Sequence, residues 1–324
     1  MPEPTLTLPL IAPLPPVNPG DKPDRSGFAI LLMCTVSLLF AIQDGFSKQL
    51  GAEYPPLLVV MIRFWVFAIF VTMLVARKPG GLRAAVRSRR PVMQIVRGLL
   101  LAAEVVVMVE AFVRLGLVET HALFTVYPLM VAALSGPVLG EKVGWRRWLA
   151  IGAGFVGILI ILQPGARALS VEALLPLSAA VMFAVYGLLT RMVARDDSAM
   201  VSFFWTAMAG AVGMTLVGLK DWQWLAPVDW LWMACLCVVS ITSHYLLIRA
   251  YELAEASVLQ PFAYTQLVFV SVLGVVVFGE TLHMNVVIGA TIVVGAGLFT
   301  LWRSQVRARQ QAARQAAEAG RTRS

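Results

Sequence analysis

The feature that most limits what this chain can fold into is the recurrence of long apolar runs. Ten occur, at residues 27–48, 57–76, 92–113, 118–139, 145–163, 171–190, 199–219, 229–249, 256–278 and 284–302, with short charged or Pro/Gly-rich breaks between them. Crossing the hydrocarbon layer takes about 20 mostly apolar residues in a helix, because every backbone N–H and C=O must be bonded within the segment. With 59% hydrophobic residues, 14% charged residues and a mean hydropathy of +0.80, so much apolar surface does not fit inside one water-soluble core. The expected fold is an all-α integral membrane protein with ten transmembrane helices.

The rest of the composition agrees. Cys34, Cys235 and Cys237 all lie within apolar runs, where they act as small hydrophobes and not as a disulfide or zinc framework. A net charge of +8 suggests nucleic acid at first, but most of the arginines flank the spans or lie in the C-terminal tail, as the positive-inside rule requires. If the N-terminus is cytoplasmic, the inner loops carry Arg77, Lys78, Arg83, Arg87, Arg89, Arg90, Lys142, Arg146, Arg147, Arg191, Arg195 and Arg249. The opposite loops carry Arg114, Arg167 and Lys220, with Lys48 at the border. Both termini are therefore expected inside, in a multi-pass protein of a bacterial inner membrane. Residues 1–26 hold eight of the eighteen prolines, too many for a signal-peptide helix, and read as a disordered tail. Residues 303–324 are basic and alanine-rich, a helical extension near anionic headgroups or a solvated tail.

The two halves of the chain are related. Phe40-Ala41-Ile42-Gln43 aligns with Phe183-Ala184-Val185-Tyr186, Ser47-Lys48 with Thr190-Arg191, and Phe64-Trp65 with Phe204-Trp205. Ala111-Phe112 and Gly140-Glu141 recur 139 residues later as Ala250-Tyr251 and Gly279-Glu280. Residues 27–163 and 170–302 are thus two copies of one unit. Five spans per copy is an odd number, so the second copy enters from the opposite side, giving two inverted-topology five-helix repeats. Such pairs exchange inward-open and outward-open shapes around a site at the bilayer midplane; the bland alternative is that duplication merely doubles a stable bundle.

Arg63-Phe64, Arg97-Gly98, Ala111-Phe112, Pro128 and the two Gly-Glu pairs, taken in order, resemble the drug/metabolite transporter superfamily with its tandem EamA-like domains over residues 27–302. The run Phe40 to Gly45 followed by Ser47-Lys48 is similar to a branch that includes bacterial riboflavin transporters. The resemblance implies a secondary transporter of a small organic metabolite, with riboflavin uptake as the first substrate and export of amino-acid-like metabolites or drugs as the alternative. The first span lacks the Trp-Gly pair common elsewhere in the superfamily, and Leu267 stands where Pro128 would repeat.

Ionisable residues at membrane depth are costly and call for a partner or a role. Arg63, Arg97, Glu104 and His244 qualify. Helical rise places Arg63 and Glu104 within about 3 Å of the same height in the bilayer, so that they can pair, for function or only for structure. Arg97 shares a helix face with Glu104 and either meets substrate or snorkels to the inner headgroups. Glu104, then His244, are the candidates for proton coupling, since a buried carboxyl or an imidazole can exchange a proton near neutral pH. Gln43, Tyr127, Tyr186, Tyr245, Tyr264 and Gln266 offer hydrogen bonds and flat faces for a pocket wall suited to a planar ring system, though some of them are expected only to pack between helices. Pro128 and Pro261 permit kinks. Asp44 and Lys48 are read as a local i,i+4 pair, Glu141 and Glu280 as helix-end features, and Glu110, Glu119 and His121 as solvated near the outer surface.

Glycine-rich phosphate loops, His-Glu-x-x-His helices and paired-aspartate motifs are missing from the sequence, which argues against a primary pump and against a membrane-embedded enzyme. No metal or cofactor is expected. The partners are a small-molecule substrate and the lipid bilayer, with no nucleic acid; the reading also allows protons as coupling ion and a homodimer.

Overall fold

The computed structural model describes residues 26–139, 145–162, 171–253, 259 and 262–321. Among these, every regular element is helical: α1 (Ser26–Glu53), α2 (Pro56–Ala76), α3 (Gly81–Val86), α4 (Pro91–Leu115), α5 (Leu117–Phe124), α6 (Tyr127–Leu139), α7 (Trp145–Leu162), α8 (Leu174–Val193), α9 (Ala199–Gly218), α10 (Pro227–Leu253), α11 (Thr265–Phe278) and α12 (Met284–Arg321). Proline opens α2, α4 and α10, where its missing N–H leaves no helical bond unmade. Among the described residues eight segments are long and apolar enough to cross a membrane, and Trp148–Leu162 and Thr265–Phe278 are shorter apolar helices. Large apolar side chains such as Leu216 and Val276 lie open on the outside of the bundle, as expected of faces turned to lipid. This is an all-helical, multi-pass membrane protein.

The structure refines several expectations. The fourth apolar run is not one helix: Gly116, at φ 85°, ends α4, and the chain breaks again at Thr125 and Val126 between α5 and α6. Pro128 therefore lies in the first turn of α6, and it does not kink a continuous helix. The second copy interrupts its helix at Tyr264, 139 residues after Thr125, without a proline at the matching place. A short helix, α3, lies between the second and third spans and packs on α9. The basic extension continues α12 to Arg321. Residues 1–25, Gly140, Glu141, Arg167 and Pro261 fall outside the described residues.

The packing follows the duplication. α1 runs along α10 and α4 along α8, two contacts that change places when the halves are exchanged, whereas α2 with α9 and α7 with α12 map onto themselves. At the last of these, a Cβ on Gly157 would fall 2.8 Å from the Gly289 carbonyl. Only glycine permits that backbone approach, which supplies van der Waals contact where lipid gives no hydrophobic drive.

Candidate functional site

Asp44 on α1 is the hub of the polar centre. Its Oδ2 accepts from Gln266 Nε2 on α11 at 3.1 Å and lies 3.1 Å from His121 Nε2 on α5. Its Oδ1 faces Gln43 Nε2 at 3.4 Å, while Gln43 Oε1 is buried with no partner among the described residues. Asp44, Gln43, Glu104 and His121 are each 8% exposed or less. The His121 ring stacks on Phe112, with centroids 5.3 Å apart and an interplanar angle of 18°.

Arg63 on α2 points into the same centre, and its Nε donates to Ser240 Oγ on α10 at 3.2 Å. Arg63, Glu104 and Asp44 lie within electrostatic reach of one another, but the expected Arg63–Glu104 contact is not closed: among the described ion pairs none joins them within 4.0 Å. His244 Nδ1–H donates to the Ser240 carbonyl at 2.7 Å, and its ring is flanked by Phe40 and Phe67.

Arg97 neither snorkels nor stands free. It is 2% exposed. Its guanidinium donates to Gln94 Oε1, Tyr186 OH at 3.1 Å, Thr190 Oγ1 at 3.2 Å, the Ser202 carbonyl at 2.5 Å and Thr206 Oγ1 at 2.6 Å. It thereby ties α4 to α8 and α9 with the full fork of donors that lysine lacks. Between Arg97 and His121 runs an aromatic wall. His121 leads to Phe124, Phe124 packs on Tyr127 at 5.2 Å, Tyr127 on Phe183 at 4.9 Å and Phe183 on Tyr186 at 5.8 Å.

Tyr264 joins this wall through a cavity of ≈ 60 Å³ lined by His121, Tyr127, Pro128, Tyr264 and Gln266 among others. Water fits there; a metabolite, which needs roughly 300 Å³ or more, requires α5 and α11 to separate. A wider cavity, ≈ 600 Å³, is an apolar groove along α11 and α12, floored by Val118 and Ala122 of α5, that shares Tyr264 and Leu267 with the small polar one. Tyr264 OH is buried without a partner among the described residues.

Two expectations are corrected outright. Tyr245 is 48% exposed: neighbours on a helix point about 100° apart, so with His244 turned inward Tyr245 faces lipid and leaves the set. Lys48 does not pair with Asp44 but forms an ion pair with Glu280, whose carboxylate also accepts the N–H groups of Leu117 at 2.7 Å and Val118 at 2.9 Å, capping α5. An exposed i,i+4 pair is worth only tenths of a kcal/mol, whereas Asp44 meets the buried His121 and the part-buried Gln266, and Glu280 offers Lys48 a fixed anion.

Asp44 and His121 were missed by sequence reasoning. Glu280 holds the first turn of α5, the helix that carries the buried His121. The one signal for this was the repeated Gly-Glu pair.

Comparison with known proteins agrees with this architecture. The chain is 27% identical over 286 residues to a riboflavin transporter of Vibrio cholerae, spanning 87% of this chain and 95% of that protein. It is 24% identical over 289 residues to an S-adenosylmethionine uptake transporter of Rickettsia prowazekii, spanning 88% and 96%. A solved crystal structure superposes with a TM-score of 0.56 at 21% identity, covering 86% of this chain and 99% of that one, which establishes a shared fold. The EamA-like transporter family matches twice, at residues 27–163 and 170–302, so the chain belongs to that family.

Proposed function

We propose that this protein is a secondary active transporter that moves a small organic metabolite across the bacterial inner membrane by alternating access, with riboflavin uptake as its first substrate. The observation that carries this reading is the polar centre at the contact of the two halves: Asp44, Arg63, Glu104 and His121 from the first, with Ser240, His244 and Gln266 from the second. Ten spans, divided at 27–163 and 170–302 into inverted five-helix units with both termini cytoplasmic, fit the exchange-related packing of α1·α10 and α4·α8. In this topology the Lys48–Glu280 end faces outward and the Asp197 end inward.

Substrate contacts fall to Gln43, Tyr127, Tyr186, Tyr264 and Gln266, with Arg63 and Glu104 at the charged end and Arg97 anchoring the wall. Once α5 and α11 separate, the aromatic wall of Tyr127, Phe183 and Tyr186 offers a stacking face to a flat ring, and Gln43 Oε1 and Tyr264 OH, unpartnered among the described residues, suit its polar edge. Two carboxylates against one guanidinium favour a second reading, a cationic nucleoside such as S-adenosylmethionine. Uptake of both compounds into proteoliposomes under an imposed proton gradient tests the proposal. Accumulation of one of them above protein-free vesicles supports it, and movement of neither removes both substrates. Protons as coupling ion and a homodimer belong to the same proposal; the gradient dependence and the mass of the detergent-solubilised particle test them.

A further inference from the structure

We propose that Asp44, Arg63, Glu104 and His121 together hold one exchangeable proton in the substrate-free protein, seated on Glu104 or on His121. That this proton is the coupling ion rests on the transport reading above; that it is bound does not.

The inference comes from counting charge. Asp44 sits on α1, and the helices packed on α1 are α2, α4, α5, α10 and α11. α2 presents Arg63 and α4 presents Glu104, both in electrostatic reach of Asp44. α5 presents His121 at 3.1 Å, while Glu119, two residues earlier, stands about 200° round that helix. α10 presents Cys237 and His244; the His244 ring lies between Phe40 and Phe67 with the Arg63 guanidinium in electrostatic reach, which opposes a second positive charge there. α11 presents Gln266, which is neutral. Lys48, on α1 itself, is held by Glu280. Two carboxylates, both buried, therefore face one guanidinium.

An uncompensated charge at this depth is among the costliest features a helical bundle can carry. One bound proton cancels it. The proton has two seats: a carboxyl oxygen of Glu104, or Nδ1 of His121, whose Nε2–H is directed at Asp44. In the second case the imidazolium gains the face of Phe112, 5.3 Å away. Exchange has a route, since His121 lines the small polar cavity with Tyr264 and Gln266. A cationic guest would supply the same missing charge and release the proton, whereas a neutral guest would travel with it.

The test uses the full chain in lipid nanodiscs without substrate. Infrared difference spectra through a pH titration follow a protonated carboxyl, and ¹⁵N NMR of labelled histidine follows an imidazolium. The wild type should show one of the two signals, lost as pH rises. If it is the carboxyl band, Glu104→Gln should abolish it; if it is the imidazolium, His121→Gln should.

The decisive variant is Asp44→Asn. Arg63 then balances Glu104 alone, so the signal should vanish although Glu104 and His121 are both still present, an effect that a merely structural role for Asp44 does not produce. A signal that persists in a folded Asp44→Asn protein overturns the proposal, and so does a wild type with neither signal, which covers the case of a variant that fails to fold. Because no substrate is present, failure here leaves the transport reading standing, and failed uptake in proteoliposomes leaves the proton count standing.

Discussion

Glu280→Gln is the substitution whose consequence follows most directly from the structure. The Glu280 carboxylate binds the Lys48 ammonium and the first two N–H groups of α5, and two glycines make room for it: a Cβ on Gly116 or on Gly274 would fall 2.8 Å from its oxygens. Glutamine keeps the size and loses the charge. Its one carbonyl can accept one of the two N–H groups, while its amide hydrogens face the other and Lys48. Three charge-assisted bonds thus become one ordinary bond and two mismatches, at about 1 kcal/mol each.

Breaking a fully buried pair costs about 3–5 kcal/mol, and this one, at 17% and 14% exposure, belongs near the lower end. A loss of about 3 kcal/mol multiplies the open fraction by about 100. The assay is labelling of Ala122→Cys, a fully buried position one turn below Val118, by an impermeant maleimide added outside, with Cys34, Cys235 and Cys237 replaced by serine. The rate should rise towards about 100-fold in Glu280→Gln. Equal rates in two proteins with the same melting temperature would refute the idea that Glu280 acts as a latch between α5 and the end of α11.

Gly274→Ala should reproduce that acceleration with every charge intact, because the added methyl displaces the Glu280 carboxylate; labelling of the same cysteine checks it. Arg97→Lys keeps the charge but can serve at most three of the five acceptors, so unfolding in mixed micelles should show a loss of about 3 kcal/mol or more. At Asp197, burial works to raise the pKa, but hydrogen bonds from Ser88, the Arg89 N–H and Gln94 outweigh it and hold the carboxyl below the usual carboxylate range. Its contribution is therefore complete above the unfolded value of about 3.9 and disappears as pH falls through the lower folded value. Asp197→Ala should cost about 1–3 kcal/mol at neutral pH and leave a melting temperature that falls less steeply in acid. Gly289→Ala brings a methyl to 2.5 Å from the Gly157 carbonyl and should lower the melting temperature by forcing α7 from α12.

How much was legible depends on what kind of signal each feature leaves. Apolar runs and duplication are properties of the chain itself, so the helical membrane architecture and the repeats could be read directly. Gln43, Arg63, Glu104 and Gln266 stand out because polarity inside an apolar run is rare, and the structure brings all four around Asp44. Rotation about a helix axis is less visible: His244 and Tyr245 look alike in sequence, and only packing turns one inward. Depth is hidden in the same way. His121 stands four residues inside its run, a place that reads as solvated until Gly116 and Glu280 fix the angle at which α5 enters. Arg97 shows the opposite error, since its partners come from two helices of the other half and no local pattern announces them.

Which contacts can alternate follows from which are duplicated. Tyr54 OH donates to Asp229 and accepts the Ala226 N–H, joining the first half to the second at one end of the bundle. At the other end Asp197 takes Ser88, the Arg89 N–H and Gln94, and Asp196 pairs with Arg90. Tyr54 and Asp197 are repeat-related by the offset of the first spans, and Arg90 and Asp229 by the offset of 139, so the two ties join corresponding segments, with Arg90 reaching Asp196 in place of Asp197. Because both copies are formed in the same conformation, the tie does not distinguish an inward-open from an outward-open state. It is suited to be the axis on which the halves turn. The Glu280 latch joins the same two halves on one side, with Glu141 and Arg191 as its repeat counterparts. A motion that exchanges the halves must release Glu280 from Lys48 and α5 while keeping Tyr54 on Asp229. Under the proposed alternating access, barrier and axis are therefore separate residues at the same end of the bundle, and a variant that loosens one need not loosen the other.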